Sequence, residues 1–111
     1  MPHCLVEHSR KLDGELLMEK VFVGARCSGL FDPEGRDIKV RALPYTTYMS
    51  GAGESEFIHV VLRILSGRTA DQKVQLSTAV IAELEAIGLV DISISVEVVD
   101  MDRDSYRKVL S

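Results

Sequence analysis

The residue best suited to acid–base chemistry is Pro2, in a chain of 111 residues that opens Met1-Pro2-His3. Methionine is usually removed when a small residue such as proline follows it, and removal here would leave Pro2 with a free secondary amine. Burial of this amine would disfavour its protonated form and lower its pKa, which gives a general base that works near neutral pH. Pro2 is therefore the candidate catalytic residue, although many proteins carry proline in second place without using it for catalysis.

Two cations follow at a spacing that suits anion binding. Lys39 and Arg41 lie two residues apart in segment 38–43, whose alternation predicts a strand. Successive side chains of a strand point to opposite faces, so these two share a face. Such cations could hold carboxylates and stabilise a developing enolate. The solvated face of an amphipathic strand explains the same pattern, and the residues alone leave both interpretations open.

The histidines and the other arginine in a strand are weaker candidates. The spacing of His3, His8 and His59 provides no metal site, since His3 and His8 fall on opposite faces of one predicted strand. His59 lies in an apolar run and is interpreted as a hydrogen-bonded packing residue. Arg63 is interpreted as a surface or inter-subunit ion-pair residue.

The composition argues against several functional classes. A net charge of −4 and the absence of a long Lys/Arg run argue against a nucleic-acid surface. No segment is long and apolar enough to span a membrane, and the first residues lack the pattern of a signal peptide, so we expect a cytoplasmic protein. Cys4 and Cys27 match neither a disulfide framework nor a metal site, and both are interpreted as reduced and structural.

The elements that must position these residues form two β-α-β units within a single domain, residues 1–111. Strands are predicted over residues 2–8, 38–43, 57–65 and 91–99, and helices over residues 13–27 and from 70 to about 87. Asp13 and Thr69 are suitable N-caps, and Gly29 and Gly88 are suitable helix ends. Pro44 indicates that the second strand bends or lies at a sheet edge.

The same patterns predict an α+β fold with a four-stranded mixed sheet and both helices on one face. Each half would be a parallel β-α-β unit with a right-handed crossover. The second helix is expected to turn five residues inward: Val74, Ala79, Val80, Leu84 and Ile87. The last strand is expected to carry four residues on one face: Ile92, Ile94, Val96 and Val98. The other sheet face would be bare but partly apolar, which favours oligomerisation.

With these elements the chain resembles the tautomerase superfamily and, within it, the 5-carboxymethyl-2-hydroxymuconate isomerase family. The resemblance is carried by Pro2-His3-x-x-Val6-Glu7, by segment 38–42, and by segment 57–64 followed by Gly67-Arg68, in that order and spacing. It implies the tautomerase (MIF-like) fold and a homotrimer whose three sheets form a central barrel. It also implies proton transfer in a carboxylated dienol during aromatic compound catabolism, with no metal or organic cofactor.

The resemblance further implies a role for particular residues. Pro2, with Met1 removed, would be the general base, and Lys39, Arg41 and Arg68 would bind the substrate. Family members usually have arginine where this chain has Lys39. Lysine lacks the guanidinium fork that binds a carboxylate through two hydrogen bonds, so the substrate itself stays open.

Three functions are compatible with these observations. The first is an isomerase or tautomerase acting on a carboxylated enol. The second is a Pro2-dependent hydratase or dehalogenase of an unsaturated acid. For this reaction, Glu7 or Glu56 would have to be the further acid or base that acts on water. The third is a non-catalytic trimer that binds a partner, which a retained Met1 would favour because the Pro2 nitrogen would then be an amide.

Overall fold

The computed structural model describes residues 1–111 and contains four strands and two helices in the order β-α-β-β-α-β. The strands are β1 (His3–Ser9), β2 (Lys39–Tyr45), β3 (Glu56–Leu65) and β4 (Ile92–Met101), and the helices are α1 (Gly14–Cys27) and α2 (Ala70–Glu85). All six predicted elements are present. The largest difference at a helix end is in α2, which stops at Glu85 rather than near Ile87.

The strands form one mixed sheet in the order β2-β1-β3-β4. The pairs β1–β2 and β3–β4 are parallel, and the central pair β1–β3 is antiparallel. The predicted four-stranded mixed sheet is therefore confirmed. β2 lies at an edge, where Pro44 removes no hydrogen bond from a central ladder.

Side-chain caps begin both helices at the predicted residues. Asp13 accepts hydrogen bonds from two backbone N–H groups in the first turn of α1. Thr69 and Gln72 form a reciprocal capping box at the start of α2. Beyond the helix ends, Gly29 and Gly88 adopt φ angles of 77° and 81°, a left-handed conformation that favours glycine.

The core lies between the two helices and one face of the sheet. β4 contributes its predicted set to this face, where Ile92, Ile94, Val96 and Val98 pack against the buried cluster. The prediction for α2 is wrong at Val74, whose exposed fraction is 61 %. The buried stripe of α2 instead consists of Leu76, Val80 and Leu84, because side chains four residues apart lie on one helix face.

We call the other side of the sheet the open face. Strand register places a mixture of polar and apolar side chains on it: His3, Leu5, Glu7, Lys39, Arg41, Leu43, His59, Val61, Arg63, Ser95, Glu97 and Val99. Leu5 and Val61 are only half-buried there, and Leu43 is exposed. Neither helix has the length and hydrophobicity needed to cross a membrane.

Candidate active site

Pro2 lies directly before β1 and is fully buried, with a relative exposure below 2 %. Its carbonyl accepts a hydrogen bond of 3.1 Å from the backbone N–H of Lys39, which extends the β1–β2 ladder by one residue. Burial alternates along β1, so Pro2 falls on the same side as Cys4 and Val6, toward the helices. Pro2 is therefore buried in the protein that carries Met1.

Met1 is held against the protein beside Pro2. Its side chain is only 8 % exposed, and its amino nitrogen lies 3.8 Å from Oδ2 of Asp37. The Tyr106 hydroxyl donates a hydrogen bond of 2.9 Å to the Met1 sulfur. Burial lowers the pKa of the Met1 amino group; Asp37 opposes this shift, whereas Lys39 and Lys108 reinforce it. The surroundings of Pro2 are therefore partly desolvated and rich in cations.

Lys39 and Arg41 share the open face, as their spacing predicts. In the parallel register, Lys39 pairs with His3 and Arg41 with Leu5. Nη1 of Arg41 lies 3.3 Å from Nδ1 of His3, and Nε2 of His3 lies 3.1 Å from the Tyr106 hydroxyl. Burial lowers the pKa of His3, and the charges of Arg41 and Lys39 lower it further. A neutral imidazole thus lies among cations at the end of the sheet that holds Pro2.

Arg68 lies in different surroundings from the other predicted site residues. Its Nη2 donates a hydrogen bond of 2.7 Å to the Leu30 carbonyl, and its guanidinium lies 5.6 Å from the centre of the Phe31 ring. No hydrogen bond joins it to Pro2, Lys39 or Arg41. These contacts tie the start of α2 to the segment that follows α1.

Three residues that interact with Met1 were not found by sequence reasoning: Asp37, Tyr106 and Lys108. Asp37 lies just before β2, and the other two lie in the tail that follows β4. The tail returns to the first residues across about one hundred positions, with Tyr106 and Met1 separated by 105. The one available signal was Tyr106 itself, the only aromatic residue after β4.

Of the remaining polar candidates, His59 and Glu7 bond to neighbours within the sheet, whereas Arg63 does not. His59 contacts the Ser95 hydroxyl at 2.7 Å and Glu97 at 2.6 Å, which fits its interpretation as a hydrogen-bonded residue. Arg63 is exposed and forms no ion pair within the chain. Glu7 accepts a hydrogen bond of 2.7 Å from the Tyr45 hydroxyl.

The metal-binding side chains are dispersed and the two cysteines are unpaired. No group of three or more His, Cys, Asp or Glu side chains is arranged to hold a metal ion. His8 is buried, whereas His3 lies on the open face, as expected for opposite sides of β1.

Cys4 is buried, which raises the pKa of its thiol to about 12. Cys27 is exposed, so its interpretation as a structural residue is wrong.

The sequence as a whole identifies the family. The model of the 5-carboxymethyl-2-hydroxymuconate isomerase family matches residues 2–108. The chain belongs to this family. The reaction class is therefore isomerisation, and the protein is an enzyme of the isomerase/tautomerase type. No curated protein is similar enough in sequence to be matched.

Solved structures show the same fold at low sequence identity. A 5-carboxymethyl-2-hydroxymuconate isomerase from Deinococcus radiodurans R1 is 21 % identical, with a TM-score of 0.74 over 99 % of this chain and 90 % of that one. A fused 4-OT wild type symmetric trimer is 15 % identical, with a TM-score of 0.74 over 90 % and 85 % of the two chains. A macrophage migration inhibitory factor-like protein from Entamoeba histolytica is 14 % identical, with a TM-score of 0.73 over 99 % and 96 %. The predicted tautomerase (MIF-like) fold is confirmed.

Proposed function

We propose that this isomerase moves a proton within a carboxylated dienol, with Pro2 as the general base once Met1 has been removed. The observation that carries the proposal is the position of Pro2, fully buried at the end of the sheet where Lys39, Arg41 and Lys108 concentrate positive charge. Burial and nearby cations both disfavour protonation of an amine, and at the neighbouring Met1 amine the effect of burial exceeds the opposing effect of Asp37. A free Pro2 nitrogen at this position would therefore have a lowered pKa and would be a base near neutral pH.

The reaction needs only one such base. The Pro2 nitrogen takes the proton from the enol hydroxyl, and the electron pair shifts through the conjugated system to a distal carbon. The prolinium then returns its proton to that carbon, so the enzyme ends in its starting state. Proton transfer by one positioned group contributes about 10²–10⁴-fold to the rate. Stabilisation of the intermediate dienolate is left to the surrounding cations.

Lys39 and Arg41 are the proposed carboxylate-binding residues, because they share the open face next to His3. Arg41 has five N–H donors and uses one of them on His3, so donors remain for a substrate. Arg68 is the third proposed substrate-binding residue. Its bond to Leu30 leaves further guanidinium donors free, but the same bond and the Phe31 contact equally support a structural role.

The hydratase or dehalogenase alternative is weaker because its acid–base partners lie far from Pro2. Glu7 is four residues from His3 along β1, about 13 Å at the usual rise of a strand. Its carboxylate is already hydrogen-bonded to Tyr45. Glu56 opens β3, which runs antiparallel to β1, and so lies toward the opposite end of the sheet.

We further propose that the active form is a cytoplasmic homotrimer. The open face has no helix covering it and carries half-buried Leu5 and Val61 as well as exposed Leu43. Packing against two further copies would remove these side chains from water. The 4-OT relative of the same fold is described as a symmetric trimer. A net charge of −4 remains unfavourable for a nucleic-acid partner.

Intact mass combined with an activity assay tests this function. Met1-trimmed protein should catalyse ketonisation of a simple carboxylated dienol, followed by ultraviolet absorbance, and Pro2→Ala should lower kcat at least about a hundredfold. Pro33→Ala makes the same chemical change in an exposed turn and should leave kcat unchanged. Protein that retains Met1 should be inactive because its Pro2 nitrogen is an amide. Trimmed protein without activity, or with activity indifferent to Pro2→Ala, would refute the proposal.

A further inference from the structure

The side chains of Arg41, His3 and Tyr106 form a hydrogen-bonded network that ends at Met1, the residue before Pro2. Nη1 of Arg41 lies 3.3 Å from Nδ1 of His3, and Nε2 of His3 lies 3.1 Å from the Tyr106 hydroxyl. The Tyr106 hydroxyl in turn donates a hydrogen bond of 2.9 Å to the sulfur of Met1. The last acceptor therefore belongs to the residue that must be removed before Pro2 can become a base.

The donor and acceptor roles in this hydrogen-bonded network follow from the chemistry of Arg41. A guanidinium can only donate, so Nδ1 of His3 must accept, and a neutral His3 then carries its proton on Nε2. This N–H donates to the Tyr106 oxygen, which leaves the single hydroxyl proton of Tyr106 free to point away from His3. The lowered pKa of His3 agrees with a neutral ring. Each hydrogen bond of the network is thus donated in the direction that leads from Arg41 toward Met1.

We propose that Tyr106 is the hydrogen-bond donor to the substrate oxygen that becomes negative, and that His3 and Arg41 are positioning residues that orient its proton. This inference rests on the proposed function. In the protein with Met1 attached, the Met1 sulfur is the acceptor at this position; after its removal, the substrate oxygen takes that place. When Pro2 removes the enol proton, charge develops on the oxygen, and Tyr106 stabilises it without giving up its own proton.

A donor with this role acts mainly on the chemical step. Removal of one donor to a developing oxyanion costs about 10²–10³-fold in kcat. In Met1-trimmed protein, Tyr106→Phe should therefore lower kcat by about this factor and change KM only a few-fold. The matched control is Tyr48→Phe, which removes a hydroxyl that donates to the Ser55 carbonyl, in the loop before β3. Its kcat should equal that of the wild type.

The positions of His3 and Arg41 have a spectroscopic signature that a purely structural role would not produce. Nitrogen-15 NMR of the trimmed protein at pH 7.5 should show His3 as the neutral Nε2–H tautomer. Arg41→Met removes the donor to Nδ1 and should give a mixture of tautomers. A proton on Nδ1 of His3, or a His3 imidazolium at this pH, would overturn the proposed direction of these hydrogen bonds.

A binding measurement separates this inference from the proposed function. Oxalate, a planar dianion that resembles an enolised 2-oxo acid, is titrated into trimmed wild-type, Tyr106→Phe and Tyr48→Phe proteins. Loss of a hydrogen bond to a charged group should weaken binding at least about tenfold in Tyr106→Phe alone. Circular dichroism of each variant verifies that it has folded.

The combined outcomes are distinguishable. If Pro2→Ala abolishes activity but Tyr106→Phe leaves kcat unchanged, the role of Tyr106 is refuted and the proposed function stands. If the wild type has no isomerase activity but Tyr106→Phe weakens oxalate binding, the proposed function fails and the donor site stands. Oxalate that does not bind the wild type, or that binds Tyr106→Phe as tightly, refutes the donor site directly.

Discussion

Replacement of Gly24 by alanine should destabilise the protein, although alanine is the better helix former. Gly24 lies in α1 where this helix meets α2. A Cβ atom at this position would lie 2.7 Å from the Cα of Val80 and 2.9 Å from the carbonyl oxygen of Ala79. Both distances are well below van der Waals contact. Both obstructing atoms belong to the backbone, so no side-chain rotation can relieve the clash.

Two opposing effects set the magnitude. Overpacking of a dense core costs about 1–3 kcal/mol, and a clash with backbone belongs at the upper end, about 3 kcal/mol. Replacing glycine by alanine in a helix interior recovers about 1 kcal/mol. The net expectation is about 2 kcal/mol of lost stability. For a domain of this size that corresponds to a melting temperature lower by about 8 °C.

Thermal unfolding at one fixed protein concentration measures this difference without changing the oligomer equilibrium. Gly51→Ala is the matched control, because a Cβ at Gly51 has no heavy atom within 4 Å and its φ angle is not in the left-handed region. Its melting temperature should stay within about 2 °C of the wild type, since surface substitutions usually change stability by about 0.5 kcal/mol or less. A Gly24→Ala protein that is as stable as the wild type would refute the close approach of α1 and α2.

Two further predictions concern the cationic end of the sheet. Lys39→Met should raise KM for a carboxylated dienol at least about tenfold, because it removes a charged hydrogen bond, whereas Lys39→Arg should lower KM by adding a second one; steady-state kinetics measures both. The lowered pKa of His3 means that the folded protein binds fewer protons than the unfolded chain below pH of about 6.5. Stability to urea should therefore fall as the pH drops below this value, and His3→Gln should reduce that fall; an unchanged pH dependence in His3→Gln would contradict the assignment.

Local sequence signals were sufficient to predict most of the fold. The caps at Asp13 and Thr69, the glycines after both helices and the alternation in β4 each specify their element over a few residues. The rotation of α2 was not specified in this way. Val74 and Leu76 are both apolar and two positions apart, so hydrophobicity alone does not decide which of them faces the core.

The positions of candidate side chains follow from the sequence where a strand fixes their direction, but not where the polypeptide returns from a distant segment. Lys39 and Arg41 share a face because the strand period requires it. Tyr106 lies 103 residues from His3 and outside any regular element, so no periodicity connects the two. Arg68 follows a strand in a loop, where its contact with Leu30 depends on tertiary packing.

The position of Pro2 reconciles two requirements that usually exclude each other. A catalytic proline must have its nitrogen free, yet a precise base must also be held rigidly by the sheet. While Met1 is attached, proline has no N–H to donate, so it is tolerated at the first position of a strand without loss of a ladder hydrogen bond. Here the Pro2 carbonyl bonds to the N–H of Lys39 and anchors the residue to β2, while its nitrogen lies outside the ladder. The same hydrogen bond joins the proposed base to the strand that carries Lys39 and Arg41. The β1–β2 register therefore fixes the position of the base relative to these two cations.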